Sequence, residues 1–346
     1  MIPLGNTGRK SLWNQPVYAD FLPEVNPFVA GDRFRPLGAA YDGNNTFWLK
    51  PSPEPRLDDA FWELLISQLD QDEIGAAASA LAAAIGRWEP DSRRLAFAVI
   101  LRAGVPIADW LCRLLPGSVA AAMSFFCGLG LDQVAFASFR KSYPERKIVF
   151  VDGWTGKGGL ARELAELNLG PLAALIDPWG WADFAGCRED LFCPAACFTG
   201  PATLGFSRTF YRSEQSLFAA YLFPEKYCRA TLVEAWQTLC PPSPSQSAPA
   251  GERFFTPTDL RVHRNEVCRA LINAVPDTIF FANDKTHAQT HDAMLLALAE
   301  ARRIKVTYNA GFLHDYKTRV ACTLNRSINQ NGHLAGFPPG PGRGSG

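Results

Sequence analysis

Histidine is missing from the first 262 residues, and all five histidines lie at His263 or beyond. A cysteine–histidine pair built wholly within that stretch is therefore excluded; such a pair needs the C-terminal part docked on the rest. No apolar stretch reaches the roughly 18 residues that cross a bilayer. The longest lie around residues 75–86 and 118–131, so no membrane partner is expected. The N-terminus, MIPLGNTGRKSLWNQP, has no charged start followed by an apolar run, so a cytoplasmic chain without a secretory signal is expected. Net charge is absent as well: 34 Lys and Arg balance 34 Asp and Glu. No chain-wide basic field exists to draw in nucleic acid. The nine cysteines, an odd number scattered from Cys112 to Cys322, do not form a disulfide framework. Cys187, Cys193 and Cys197 lack the paired spacing of a zinc ribbon. His287 and His291 stand four apart on a predicted helix with no third ligand in view, so no protein-built metal site is expected.

What is present is a globular composition, 47% apolar and 20% charged over 346 residues. At about 150 residues per domain this suits two domains. Residues 241–252 (PPSPSQSAPAGE) can neither build a helix nor fill a strand, and read as a linker. The part before it carries a mild acidic excess, and the part from Arg253 onward a mild basic one. The expected organisation is an irregular arm over 1–56, a first domain over 57–240, the linker, and a second domain over 253–325. A Gly- and Pro-rich tail over 326–346 is expected to be disordered.

Apolar spacing predicts helices over 57–69, 72–88, 107–115, 132–142 and 160–167. Short apolar runs predict strands over 94–101, 119–126, 147–152 and 172–177. After the linker, helices over 265–275 and 286–303 alternate with strands over 278–282 and 305–308. Such alternation predicts an α/β protein with a parallel sheet and a small C-terminal α/β domain, binding ligands at the carboxyl ends of the strands.

Two turns at those ends carry the chemistry. In KIVFVDGWTGKGG, a strand delivers Asp152, and Gly153, Trp154, Thr155, Gly156, Lys157 and Gly158 lead into a helix. Exposed amides, a helix start and a lysine make a cradle for phosphate. The spacing is not that of a Walker A loop. A carboxylate beside the cradle suits a ribose phosphate, with Asp152 accepting from ribose hydroxyls. The second turn, RAGVP, offers Arg102 for a bidentate diphosphate contact, with Ala103 and Gly104 behind it. A third group, Arg188, Glu189 and Asp190, is either a ligand contact or a solvated charge cluster.

Residues 102–107, 150–159 and GCREDLFCPAACFTGPATLGFSR over 186–208 together resemble the StiP family. That family is described both as phosphoribosyltransferase-like and as a cysteine protease, and occurs with tellurite-resistance and stress operons. The RAGVP turn also resembles the diphosphate loop of uracil phosphoribosyltransferases. The resemblance implies that Asp152 holds ribose hydroxyls, that residues 155–158 hold a 5-phosphate, and that residues 102–104 meet the diphosphate. It also implies magnesium carried on that diphosphate. The chain departs from the pattern at Gly153, where most phosphoribosyltransferases have a second acid, and at Cys127 and Leu129, which replace arginines. Residues 265–312 resemble a Pelota-type RNA-binding domain, which implies RNA as a partner; the mildly basic balance is compatible with that.

Three functions follow as expectations. The first is a phosphoribosyltransferase-like enzyme acting on a nucleoside- or nucleobase-type metabolite, with Asp152 and Arg102 at its centre. The second is a cysteine protease with Cys197 as nucleophile by family position. The third is a scaffold that binds nucleotide or RNA without turnover. Oligomeric state has no signature in the sequence.

Overall fold

A strand made only of apolar residues is satisfied where both faces of a sheet are covered, and LAFAVI is buried at all of its 6 positions. The computed structural model describes residues 11–29, 31–35, 48–69, 72–239, 241–242, 248–249, 251–274 and 276–324. The expected tail over 326–346, part of the arm and the linker residues 243–247 and 250 lie outside the described residues.

In chain order the elements are β1 (Asp20–Leu22), α1 (Asp59–Ser67), α2 (Asp72–Trp88), β2 (Leu95–Ile100), α3 (Gly104–Leu114), β3 (Val119–Met123), β4 (Phe125–Phe126) and β5 (Gly130–Leu131). Next come α4 (Gln133–Ser142), β6 (Lys147–Trp154), α5 (Gly159–Leu167), β7 (Leu172–Ile176), β8 (Phe184–Cys187) and α6 (Gly200–Thr203). They are followed by β9 (Ala219–Tyr221), α7 (Ala230–Thr238), β10 (Arg261–Val262), α8 (Arg264–Asn273) and β11 (Pro276–Phe281). The described chain closes with α9 (Lys285–His291), α10 (Ala293–Ala301), β12 (Lys305–Thr307) and β13 (Val320–Leu324).

The central sheet runs β3-β2-β6-β7-β8, every neighbouring pair parallel, as the α/β reading expects. Alternate residues of β2 serve opposite cores. Phe97 and Val99 pack with α2 and α3, while Ala96, Ala98 and Ile100 pack with α4 and α5. The second sheet, β10-β13-β11-β12, is mixed: β11 pairs β12 in parallel and β13 antiparallel. β13 went unrecognised in the sequence because VACTL is short and carries Cys and Thr rather than a strong apolar alternation.

The single helix expected over 286–303 is two. α9 stops at Asp292, whose carboxylate turns inward to take two bonds from Arg264, Nε at 2.5 Å and Nη2 at 3.1 Å. The arm contributes a strand and a buried anchor: β1 pairs β9 in parallel, and Trp13 donates from Nε1 to Thr203 O at 3.0 Å.

The two α/β units share one core. Val267, Cys268 and Leu271 of α8 belong to the same apolar cluster as Val99, Val151 and Cys197. Polar bonds sew the same seam. Asp190 accepts from Arg264 N at 2.9 Å and Arg319 N at 3.0 Å, and its carbonyl accepts from Arg264 Nη1 at 2.7 Å. Asn265 takes Cys193 N at 2.7 Å and gives Nδ2 to Leu191 O at 2.9 Å. Replacing Arg264 by Ala strands the buried Asp292 carboxylate and takes a donor from the Asp190 carbonyl, so a loss of about 3–5 kcal/mol in urea unfolding is expected. A loss under about 1 kcal/mol would contradict this reading of the seam.

Candidate functional site

β6 runs past Asp152 to Trp154, which still pairs with Ile176 of β7. The strand therefore lifts Asp152 to the carboxyl edge of the sheet on a rigid backbone. Thr155 is then pinned, its N–H to Ile176 O at 2.9 Å and its hydroxyl to Asp177. The turn closes at Gly158 with φ of +81°, a left-handed angle that favours glycine, and α5 starts there without a side-chain cap. Its first amides and the turn face a cleft of about 1510 Å³.

Arg102 follows the end of the neighbouring strand β2, after a cis Leu101–Arg102 peptide. A Cβ on Gly153 would come 3.0 Å from the Ala103 methyl, so the two turns are in contact. The Arg102 side chain is only 8% exposed; its Nη1 pairs with Glu54 Oε1 at 2.6 Å, while Nη2 is buried with no hydrogen-bond partner. Burial pushes the Glu54 carboxyl up, but Arg102, Arg208 and Arg269 together hold it below its usual value. All three arginines line the cleft. Burial is also the main cause that raises the Asp152 carboxyl to about 7; the Gly153 N–H, 2.7 Å away, opposes it, and the charge of Glu266 adds to it.

The C-terminal unit supplies the opposite wall. Glu266 on α8 accepts from Trp154 Nε1 at 3.0 Å, and Lys157 Nζ donates to Thr258 O at 2.7 Å. Glu54, Glu266 and Arg269 were not singled out in the sequence. Glu54 sits among prolines without a periodic signal, and a Glu and an Arg three apart on α8 look like a solvated helix face.

Of the residues singled out, Arg102, Ala103, Asp152, Trp154, Thr155, Gly156, Lys157 and Gly158 line this cleft. Gly104 and Gly153 are buried behind them. Arg188, Glu189 and Asp190 lie elsewhere: Arg188 pairs with buried Asp177, Asp190 is part of the seam, and Glu189 is exposed 3.9 Å from Arg319. Cys197 is fully buried, with Sγ 3.3 Å from Cys268 Sγ. Burial, then its bond to Cys268, pushes the thiol well above the usual range. The cysteine in the cleft is Cys127, its thiol pushed up to about 12, first by burial and then by the charge of Glu163. Among the described residues all cysteines are free thiols. Among them, too, no helix is long and apolar enough to cross a membrane.

A parallel sheet covered on both faces, with a cleft lined by charges of both signs at its carboxyl edge, defines an α/β architecture. A family profile described as "Tellurite-like stress resistance cysteine protease StiP" matches residues 46–228. The chain belongs to the StiP family. A relative from Acinetobacter baylyi, named "Cysteine protease StiP", is 32% identical over 109 residues, which cover 28% of this chain and 28% of the relative. The match thus spans little more than a quarter of that relative. The names of family and relative are those of a protease, and neither is that of a glycosyltransferase.

A carboxyl held near 7, against an ordinary value near 3.8, binds a proton in the native state over a range where the unfolded chain has lost it. Native stability therefore falls as pH rises from about 4 to 7, and the penalty above that is on the order of 4 kcal/mol. Asp152→Asn removes it: the variant should be more stable than wild type at pH 8 and gain little at pH 4. Equal differences at both pH values in urea melts would show that the carboxyl is not raised.

Proposed function

We propose that the cleft binds a phosphorylated ribose and that the chain is an enzyme of phosphoribosyltransferase type. The observation that carries this reading is the buried, unpartnered Nη2 of Arg102, in the cleft that Asp152 and the glycine turn also line. A buried guanidinium nitrogen without an acceptor costs free energy that an anionic oxygen would recover. In the reaction, a nitrogen of a nucleobase-type acceptor attacks the anomeric carbon of phosphoribosyl diphosphate. The bond from that carbon to the diphosphate oxygen breaks, and diphosphate leaves with the electron pair. Arg102 and the turn amides stabilise the leaving charge. Asp152, near neutrality, is suited to hold ribose hydroxyls or to take the acceptor's proton. Magnesium supplies charge neutralisation in such chemistry. Among the described residues no three His, Cys, Asp or Glu gather to hold a metal, so the ion would come on diphosphate oxygens. The C-terminal unit, read as Pelota-like, would present RNA or an RNA-derived acceptor at the cleft.

Phosphoribosyl diphosphate with magnesium should raise the melting temperature by about 5 °C at ~100-fold above Kd. Arg102→Ala should remove the rise. No shift at millimolar ligand would overturn the reading.

The second reading is a cysteine protease, favoured by the names of the family and of the relative. Cys197 falls inside the matched residues, but it is buried against Cys268, so this reading requires α8 to move away before the thiol can react. Casein hydrolysis lost in Cys197→Ser but kept in Cys127→Ser would establish it. Hydrolysis absent from wild type, together with the thermal shift above, would favour the transferase.

A further inference from the structure

We propose that Glu266, carried by the C-terminal unit, is a ligand-contacting residue of the cleft: with Asp152 it forms a carboxylate pair that accepts the two hydroxyls of a ribose cis-diol. The inference rests on reading the cleft as a ribose-phosphate site and extends it to a residue of the other unit.

β6 itself has one acid at this edge, because glycine follows Asp152. The second carboxylate arrives from across the seam. Glu266 lies directly over the turn: a Cβ on Gly156 would stand 2.9 Å from its carboxyl carbon and 3.1 Å from Oε1. Any larger residue at 156 would displace it. The carboxyl is oriented from two sides, by Trp154 Nε1 at 3.0 Å and by Arg261 Nη1 at 3.7 Å from the other oxygen. Its side chain remains 27% exposed, so it still faces the cleft that it lines. Asp152 and Glu266 repel each other across this space. An uncharged diol with two adjacent O–H donors relieves that repulsion, whereas an anionic group there would add to it.

Arg102 points independently to a ligand in the same cleft. Its side chain is more than nine-tenths buried, and its Nη2 is without a partner. Donor and acceptors together match one ligand class: an anionic phosphate for the guanidinium and turn amides, and a vicinal diol for the carboxylates. Such a site discriminates against the deoxy sugar, because removal of one hydroxyl takes away the donor that one carboxylate oxygen accepts from.

The test uses the full chain, with ribose 5-phosphate and 2-deoxyribose 5-phosphate as probes in calorimetric titrations. Wild type should bind the ribose compound about tenfold more tightly or better. Glu266→Gln keeps the size and the contact to Trp154 but loses the charge. It should weaken ribose 5-phosphate about tenfold and leave the deoxy compound nearly unchanged. Trp154→Phe, which removes the donor that orients Glu266, should reduce the discrimination in the same direction and serves if Glu266→Gln fails to fold. Full discrimination retained in a folded Glu266→Gln would overturn the role of Glu266 while leaving the ribose site standing. No binding of either sugar phosphate, or of phosphoribosyl diphosphate, to wild type would overturn the ribose reading itself.

Discussion

Arg264 enters the protein 5% exposed, and a guanidinium so placed must be answered by carboxylates. The Asp292 carboxylate answers it from its own unit, and the main-chain carbonyl of Asp190 adds a bond from the other. Together with the Asn265 bonds, this fixes where α8 lies, and the rest of the molecule depends on that helix. From one anchored turn, Glu266 reaches the glycine loop, Cys268 meets Cys197, and Arg269 donates to Ala196 O at 3.1 Å. Consecutive positions on a helix point about 100° apart, so a single anchored helix serves the cleft, the core and the seam together.

The same placement separates the two chemistries that the chain suggests. By sealing Cys197 against Cys268, α8 removes water from the thiol and destabilises the thiolate that a protease needs. By carrying Glu266 and Arg269 to the turn after β6, it completes a polar cleft around Asp152. A protease would have to undock this helix; a ribose-phosphate enzyme would use it in place. The family's name and this chain's geometry thus differ over the state of one helix, a difference open to measurement.

Much of the fold was legible in the sequence because its signals are local. LAFAVI and KIVFVD are apolar runs too short for helices, and the turns after them carry Arg102 and Asp152. Both residues reached the cleft as the α/β pattern requires. The charged cluster over 188–190 did not, since Arg188 is paired with Asp177 and Asp190 is bonded across the seam. Asp292 likewise broke a helix that spacing alone runs through, because its partner Arg264 lies 28 residues away.

By itself the sequence determined the α/β class, the parallel order of strand and helix, and the two turns at the carboxyl edge. These follow from hydrophobic period and glycine placement, which act over a few residues. Only the tertiary structure decided that Glu54 and two further arginines join Arg102, and that Glu266 reaches the turn after Asp152. It also decided that Cys197 is sealed rather than presented. Charge pairing and burial act through space, between residues up to hundreds of positions apart, and leave no period in the chain for a reader to find.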